Sequence, residues 1–229
     1  MTLCLCGIAT LNKIVTTSDG SHTIFVHELN EHYHSVHGAV QESDFIFIRN
    51  GFEYCSADPV HIFEVGFGTG LNALLTAVKA ANRRKEVFYT SIEKFPLDKQ
   101  MTELLNHPHF SGENGKEVFD RIHSAEWGVM CSISSCFSIL KIKGDLTTER
   151  ITGICDLVYF DAFSPEKQPE MWTREIIAKI SDAISPGGIF VTYSAKGELK
   201  RNLSVSGFRV TVTEGPPGKR HILRATKIK

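Results

Sequence analysis

The chain has 229 residues, of which 42% are hydrophobic and 22% charged, and its formal net charge at pH 7 is −1. This apolar content supports one large domain with a well-formed core and excludes a disordered protein. The near-neutral charge excludes a globally basic protein, so any contact with nucleic acid must come from local basic patches.

The N-terminal region is predicted to be a small β-rich extension. Residues 1–11 are apolar but lack the basic start and cleavage site of a signal peptide, so we expect a cytoplasmic protein without a membrane segment. The turn signal at 18–21 separates β-rich runs at 12–17 and 22–27, which predicts a hairpin. Apolar residues scattered over 33–50 predict a helix that would form a lid or entrance wall beside it.

We divide the chain into this extension, residues 1–55, and a main domain, residues 56–229. In the main domain, strand-like and helix-like segments alternate. The pattern predicts an α/β fold, a doubly wound, Rossmann-like and mostly parallel sheet of seven strands that ends in an antiparallel hairpin. The strands are expected near 60–65, 87–92, 137–142, 155–160, 188–194, 208–214 and 221–227, and the helices near 70–82, 97–106, 117–127, 171–184 and 197–205.

A glycine-rich loop joins the first of these strands to its helix. Gly66, Gly68 and Gly70 alternate directly after the buried strand. Glycine suits a sharp turn and a close approach of backbone to ligand, and the helix start offers unpaired N–H groups. Dinucleotide folds use Gly-x-Gly-x-x-Gly, so this Gly-x-Gly-x-Gly spacing favours S-adenosylmethionine. A purely structural tight turn is the alternative.

Three acids stand where predicted parallel strands end, and such ends share one edge of the sheet. Glu93 follows Gly70 by 23 residues, the place for an acid on ribose hydroxyls. Asp145 could accept a hydrogen bond from an adenine amino group or merely close a Gly-Asp turn. Asp161 points at the donor side of the pocket, although it could simply bond the N–H groups of its own turn. Phe163 and Trp172 offer aromatic surfaces for a base, or pack in the core.

Histidine and cysteine patterns argue against a metal centre. The histidines at 27, 32, 34 and 37 match no metal-binding spacing, so packing or substrate contact is favoured over zinc. The six cysteines form no Cys-x-x-Cys pair, so we expect reduced, buried thiols. Basic patches that could bind nucleic acid, or could be ordinary surface charge, are Lys79/Arg83/Arg84/Lys85, Lys196/Lys200/Arg201 and the tail Lys219/Arg220/His221/Arg224/Lys227/Lys229.

With these motifs the sequence resembles the methyltransferase domain of the MnmC-type tRNA modification enzymes, over nearly its whole length. The matching strings are Asp19–Thr23, Tyr33–Ser43, Glu64–Asn72, Glu93–Pro96, Asp161–Trp172 and Gly218–Arg220. The resemblance implies a class I methyltransferase fold and methylation of the amine of 5-aminomethyl-(2-thio)uridine at the tRNA wobble position, with S-adenosylmethionine as donor. The partner would be the tRNA anticodon stem-loop.

The resemblance also implies residue roles. Asp161 would be the catalytic acid beside the accepting amine; with an ordinary carboxylate pKa it would position the amine and stabilise charge rather than act as a strong base. Cofactor contacts are expected from Glu64, Gly66, Phe67, Gly68, Thr69, Gly70, Asn72, Glu93, Lys94, Asp145, Asp161 and Phe163. Substrate contacts are expected from Tyr33, His34, Trp172, Lys219 and Arg220.

Many relatives carry a further flavin-dependent oxidoreductase domain, and the sequence ends at Lys229 without room for it, so the aminomethyl substrate is expected to arrive by another route.

Two rival functions stay open. One rival is a small-molecule amine alkyltransferase of the aminopropyltransferase kind, against which Lys167, Lys219 and Arg220 near Asp161 argue. The other is a catalytically silent RNA-binding protein, against which the intact glycine loop and Asp161 argue.

Overall fold

A computed structural model describes the chain from residue 12 to residue 228. The predicted N-terminal hairpin is confirmed: β1, Lys13–Thr16, pairs antiparallel with β2, His22–Val26. A two-residue strand, β3, Glu31–His32, extends it to three strands. Cys4 and Cys6, for which we expected buried thiols, lie outside the described residues, as do the rest of residues 1–11 and Lys229.

The helix predicted within residues 33–50 is shorter and less regular than expected. The short helix α1, Ala39–Ser43, continues directly into a π-helix, Asp44–Phe52. Phe47 in the π-helix is buried, and its ring centroid lies 5.1 Å from that of Tyr159 on the main sheet. The extension therefore shares a hydrophobic cluster with the main domain instead of standing apart from it.

Within the described residues, the main sheet has eight strands, one more than predicted, in the order β10-β11-β9-β8-β4-β5-β7-β6. The five strands from β9 to β7 in that order pair in parallel, and the outer three pair antiparallel. The bounds are β4 Val60–Val65, β5 Val87–Glu93, β6 Met130–Ser134, β7 Phe137–Lys143, β8 Cys155–Phe160, β9 Ile184–Thr192, β10 Phe208–Glu214 and β11 His221–Lys227.

Helices cover both faces of this sheet, as in a doubly wound fold. Helices α2, Leu71–Arg83, and α4, Gly115–Ser124, pack with the π-helix on one face, and α5, Arg174–Asp182, and α6, Gly197–Val205, pack on the other. A short helix, α3, Lys99–Glu103, and two 3₁₀ turns, His107–Phe110 and Pro169–Trp172, complete the described elements.

The carboxyl ends of the five parallel strands meet at one edge of the sheet. Open α/β sheets bind their ligands at this edge, beside the point where strand order reverses. Here β5 and β8 flank β4, so the reversal lies at the end of β4, immediately before the glycine loop. The N-terminal extension lies against the same edge and walls the space above it.

Candidate active site

A cavity of about 920 Å³ opens at this edge of the sheet. Its volume falls within the roughly 300–1,000 Å³ that is usual for small-ligand sites. The sheet domain contributes residues that follow successive strands, and the extension contributes an opposing wall. Lining residues include Glu31, Tyr33, His34, Glu42, Gly66, Phe67, Gly68, Asn72, Glu93, Lys94, Asp145, Asp161, Phe163, Tyr193 and Lys219.

The loop requires glycine because neighbouring atoms lie close to its backbone on both sides. Gly66 has φ of +89°, and a Cβ there would lie 2.8 Å from the carbonyl oxygen of Asp161. A Cβ on Gly68 would lie 2.9 Å from Cδ1 of Tyr33. We expected a side chain at position 68 to fill cofactor space; in the structure it would first meet the tyrosine ring of the extension.

Thr69 and His34 hold the loop in place. The Thr69 side chain is buried and its Oγ1 lies 2.7 Å from Nε2 of His34, while its carbonyl accepts a 3.2 Å hydrogen bond from Nε2 of His123. Burial lowers the pKa of both His34 and His123 to about 4, so both rings are neutral at pH 7. The structure therefore places Thr69 behind the loop as a support, and Gly70 as the cap of α2.

Glu93 stands at the end of β5 with both carboxylate oxygens in use. One accepts a 3.0 Å bond from the N–H of Gly68 and the other a 2.8 Å bond from the N–H of Phe95. A carboxylate oxygen has two lone pairs, so each can still accept a ribose hydroxyl. The same acid thus shapes the glycine loop and offers hydrogen-bond acceptors to the cavity. Phe67 of the loop also lines this cavity.

Asp145 closes a turn and lines the cavity at once. Its Oδ1 accepts from the N–H and hydroxyl of Thr147 at 2.8 and 2.7 Å, and its Oδ2 lies 2.7 Å from Nζ of Lys94. The hydrogen bond from Lys94 and those from Thr147 lower the pKa of Asp145 to about 2. The turn and the adenine-contact interpretations are therefore compatible, because the turn fixes a permanently ionised acceptor at the cavity wall.

Asp161 is partly buried and is linked to the fully buried acid Glu64 through one amide. The Nδ2 of Asn72 donates to Oδ2 of Asp161 at 2.8 Å and to Oε1 of Glu64 at 3.1 Å. Burial raises the pKa of Asp161 to about 7 and that of Glu64 to about 8. We expected an ordinary carboxylate pKa for Asp161, but its pKa is raised because the residue lies in the cavity wall and not on a fully solvated surface.

Of the two predicted aromatic surfaces, the structure brings only one to the cavity. The Phe163 ring lines it, with its centroid 5.0 Å from that of Tyr33. Trp172 is 6% exposed, packs edge-on against Phe160, and donates through Nε1 to the carbonyl of Phe163 at 2.9 Å. Trp172, which we predicted as a substrate contact, therefore supports the Phe163 loop from the core and does not line the cavity.

The two cationic residues at the β10–β11 turn behave differently. Lys219 turns inward, where its Nζ lies 3.1 Å from Oε1 of Glu42 and 4.7 Å from the centre of the Tyr193 ring. Arg220 is exposed on the same turn, and no ion pair to it is found among residues 12–228. Of the two residues, Arg220 alone presents an exposed cation at this turn, and the phosphate contacts stay a prediction.

Other predicted basic patches are partly neutralised. Lys79 and Arg83 both pair with Glu53, and Lys196 pairs with Glu166. Arg224 stacks 3.5 Å from the ring centre of Tyr54. These pairs agree with the ordinary-surface interpretation for the patch at the end of α2.

The cavity is richer in acids than the sequence indicated. Eight carboxylates but only three lysines line it. Glu42 was missed as a site residue although it stands within the matched Tyr33–Ser43 string, because only tertiary contacts bring α1 to the end of β8. The acids are Glu28, Glu31, Glu42, Glu93, Asp98, Asp145, Asp161 and Glu170, and the lysines are Lys94, Lys167 and Lys219.

Three further features of residues 12–228 bear on the class of site. Over this range no set of three or more His, Cys, Asp or Glu side chains is arranged to hold a metal ion. The cysteines at 55, 131, 136 and 155 are unbridged, and Cys55 and Cys155 are buried. Within the same residues, no helix has both the length and the apolar character that crossing a membrane requires.

Comparison with known proteins identifies the relatives of this chain. A family profile described as S-adenosyl-L-methionine-dependent methyltransferase matches residues 139–228. The protein named tRNA 5-methylaminomethyl-2-thiouridine biosynthesis bifunctional protein MnmC from Campylobacter hominis is 29% identical over 88% of this chain, and the one from Nitrosospira multiformis is 30% identical over 84%. The crystal structure of MNMC2 from Aquifex aeolicus superposes with a TM-score of 0.78 at 27% identity, covering 97% of this chain and 72% of that one. The chain is a homologue of the MnmC proteins.

The chain spans about a third of the length of the curated MnmC relatives, 31% and 33% for the two above. The likeness therefore concerns one part of those proteins and not their full length. Spermidine synthase from Thermotoga maritima matches with a TM-score of 0.54 at 11% identity, which shows a shared fold alone. The MnmC-type fold is thus established, with the mostly parallel sheet of class I methyltransferases.

The cavity residues fit S-adenosylmethionine, the cofactor of the matching family. A positive-φ loop faces the cavity at the start of α2, Glu93 keeps free acceptor sites at the end of β5, and Asp145 is ionised at the end of β7. These would hold the methionine moiety, ribose and adenine respectively. Bound there, the cofactor supplies an electrophilic methyl group.

Proposed function

We propose that this chain methylates the primary amine of an aminomethyl group on the wobble uridine of tRNA, with S-adenosylmethionine as donor. The observation that carries the proposal is the setting of Asp161. It lines the cavity beside the glycine loop, is held by Asn72 at 2.8 Å, and has a pKa raised to about 7 by burial. The names of the relatives indicate tRNA as the substrate class.

The raised pKa matters because the substrate amine must lose a proton before it can attack. A primary alkylamine has a pKa of about 10, so it enters the cavity mainly as an ammonium ion. A carboxylate with a pKa near 7 is a far better acceptor for that proton than one near 4. The difference between the pKa of the ammonium ion and that of the carboxyl group falls from about six units to about three. Asp161 would orient the nitrogen lone pair and then hold the released proton.

We propose that Arg220 contacts a phosphate of the anticodon stem-loop and that the described part of the N-terminal extension, residues 12–55, covers the bound base. Tyr33 and Phe163 line the cavity on the side of the extension, where a base would enter. A tRNA substrate would place the protein in the cytoplasm.

A small-molecule amine alkyltransferase is the second candidate, and one observation favours it. The lysines near Asp161 argued against it in the sequence, but the cavity has eight carboxylates and only Lys94, Lys167 and Lys219 as lysines. Such a lining would suit a polyamine as well as a single aminomethyl group. The charge of the cavity therefore does not separate the two functions, and the substrate must be tested directly.

Nucleoside mass spectrometry of tRNA from a strain that lacks this chain separates them. Our proposal predicts that 5-methylaminomethyl-(2-thio)uridine disappears and that its unmethylated aminomethyl form accumulates. Restoring the wild-type chain should reverse the change, whereas Asp161→Asn should not. An unaltered wobble-nucleoside profile would favour the small-molecule candidate.

A further inference from the structure

Glu42 is a buried carboxylate that the reaction described above does not use. It is 8% exposed, lines the cavity, and lies on α1 of the N-terminal extension. Its Oε2 accepts a 2.8 Å hydrogen bond from the N–H of Ser35. Its Oε1 is buried and receives no hydrogen bond of regular geometry from the described residues. Burying a charged oxygen in this state is costly unless a cation completes its environment.

The cation in the structure is Lys219, which reaches Glu42 from the opposite end of the chain. Its Nζ lies 3.1 Å from Oε1 of Glu42, and the ring of Tyr193 lies beneath it at 4.7 Å. Lys219 also lies near enough to Asp161 to lower the pKa of that acid, against the larger effect of burial. The Lys219 ammonium therefore pairs with Glu42 in a cavity that Asp161 also lines, close enough for the lysine charge to act on that acid.

We propose that Glu42 and Asp161 form a binding site for the ammonium group of the substrate, and that Lys219 fills this site until the substrate displaces it. This inference rests on the proposed function and identifies the groups that would recognise the cationic amine. The chemistry of the two cations matches, because a lysine side chain and an aminomethyl group both end in a primary ammonium on a CH₂ group. Tyr193 supplies the aromatic face that favours such a cation.

If the substrate displaces Lys219, removing this lysine should change ligand affinity in the direction opposite to that expected for a phosphate-binding lysine. Removing Lys219 removes a competitor, so an amine ligand should bind more tightly. A lysine that gripped RNA would instead weaken binding when removed, and one that mainly stabilised the fold would lower the melting temperature without changing amine preference. Removing the charge of Glu42 should abolish the preference for an amine over a neutral ligand of the same shape.

Binding measurements on protein saturated with S-adenosylhomocysteine test this without relying on turnover. The probes are 5-aminomethyluridine against 5-hydroxymethyluridine, and butylamine against butanol, followed by calorimetry or ligand-observed NMR. The variants are Glu42→Gln and Lys219→Met. Glu175→Gln on α5 and Lys200→Met on α6 are the controls, since neither residue lines the cavity.

We expect the wild type to bind each amine at least about tenfold more tightly than its alcohol, a difference of about 1.4 kcal/mol. Glu42→Gln should reduce that ratio to near one, Lys219→Met should increase it several-fold, and the controls should leave it unchanged. An undiminished ratio in folded Glu42→Gln, or a lower one in Lys219→Met, would overturn the inference. If butylamine shows the pattern but neither nucleoside binds, the ammonium site stands and the wobble-uridine proposal fails. If no amine is preferred by the wild type, the site itself is refuted.

Discussion

The pKa of Asp161 makes the activity proposed for this site depend on pH. Its folded pKa of about 7 results first from burial, offset in part by the hydrogen bond from Asn72. An acid that works as a proton acceptor must be ionised, so activity should rise as the pH increases through this value. The acid would be fully ionised well below neutrality if it were solvated like a surface residue.

We predict that kcat/KM of the wild type rises with pH along a limb centred near 7, and that Asp161→Asn lacks this limb. The substitution should also lower turnover by about a hundredfold or more, the usual scale for a lost acid–base or charge-stabilising group. Affinity for S-adenosylmethionine should stay nearly unchanged. Initial rates are measured between about pH 5.5 and 9. If the rise in kcat/KM near pH 7 persists in Asp161→Asn, another group is responsible for it.

Gly68 gives a second test at the level of a single residue. Gly68→Ala puts a methyl group 2.9 Å from the Tyr33 ring at a φ of +51°, so we expect the ring to be displaced and affinity for S-adenosylmethionine to fall about tenfold or more. Gly112→Ala is the matched control, because Gly112 also has a positive φ but nothing lies within 4 Å of its added Cβ. Calorimetry with both variants separates the contact from backbone strain. Equal losses in the two would remove Tyr33 from the explanation.

At this scale the sequence predicted the acids well and their environment poorly. Glu93, Asp145 and Asp161 each stand at or just after the end of a parallel strand, and such strands end at one edge by geometry alone. The pairing of Glu42 with Lys219 depends on how α1 and the β10–β11 turn pack, which no local pattern encodes. The inward position of Trp172 was missed for a similar reason, since an aromatic residue after a loop suits either the core or a binding surface.

At the scale of elements, the loop after β4 is held by two neutral histidines. His34 lies in the extension and His123 at the end of α4, and both contact Thr69. Each has a pKa of about 4 in the fold against 6.5 in an unfolded chain. The unfolded state therefore binds more protons between these values, so this part of the stability is complete above pH 6.5 and is lost as the pH falls towards 4.

We predict that His123→Gln, which keeps a donor for the Thr69 carbonyl, loses less stability than the wild type between pH 6.5 and 4.5. The difference should approach about 2–3 kcal/mol, from about 1.4 kcal/mol per pKa unit. His27→Gln is the control, because His27 is exposed on the extension. The raised pKa values of Asp161 and Glu64 act in the opposite direction, but they are common to all three proteins. Urea unfolding at several pH values measures this difference. Parallel curves of the free energy of unfolding against pH for the wild type and His123→Gln would contradict the role assigned to His123.

The β10–β11 turn provides an element-scale test of RNA contact. Arg220→Ala should raise the KM for tRNA and reduce the dependence of binding on salt by about one phosphate contact. Lys219→Ala should leave that salt dependence unchanged, since Lys219 faces the cavity. Binding of tRNA measured over a range of salt concentrations, with melting temperatures as the control for folding, tests both. An unchanged slope in Arg220→Ala would move the RNA-binding face elsewhere.

Elements were predicted most reliably where burial imposes a strong pattern. The seven predicted strands are present, although β9 begins at Ile184 and not near residue 188. The eighth, β6, was missed because it is an edge strand in which only Ile133 is buried, so it lacks the alternation of a half-buried strand. The helix expected over 171–184 is divided at Thr173, whose side chain caps α5 through the N–H of Ile176.

At the scale of the whole molecule, the N-terminal extension and the sheet domain together make the site. Residues of the extension such as Tyr33, His34 and Glu42 line one wall, and the strand ends line the other. This arrangement explains why the glycine loop alone did not define the pocket. Glu93, Asp145 and Asp161 reach the cavity from the sheet, and Glu42 reaches it from the extension.

The activity proposed for this chain is the transfer of a methyl group to an aminomethyl wobble uridine. The most direct measurement incubates the purified protein with S-adenosylmethionine carrying a deuterated methyl group and with tRNA that bears 5-aminomethyl-(2-thio)uridine, followed by nucleoside mass spectrometry. We predict that the label appears on the wobble nucleoside as a single deuterated methyl group, and that Asp161→Asn reduces it about a hundredfold or more. Label absent from that nucleoside but present on an added polyamine or other small amine would contradict the account.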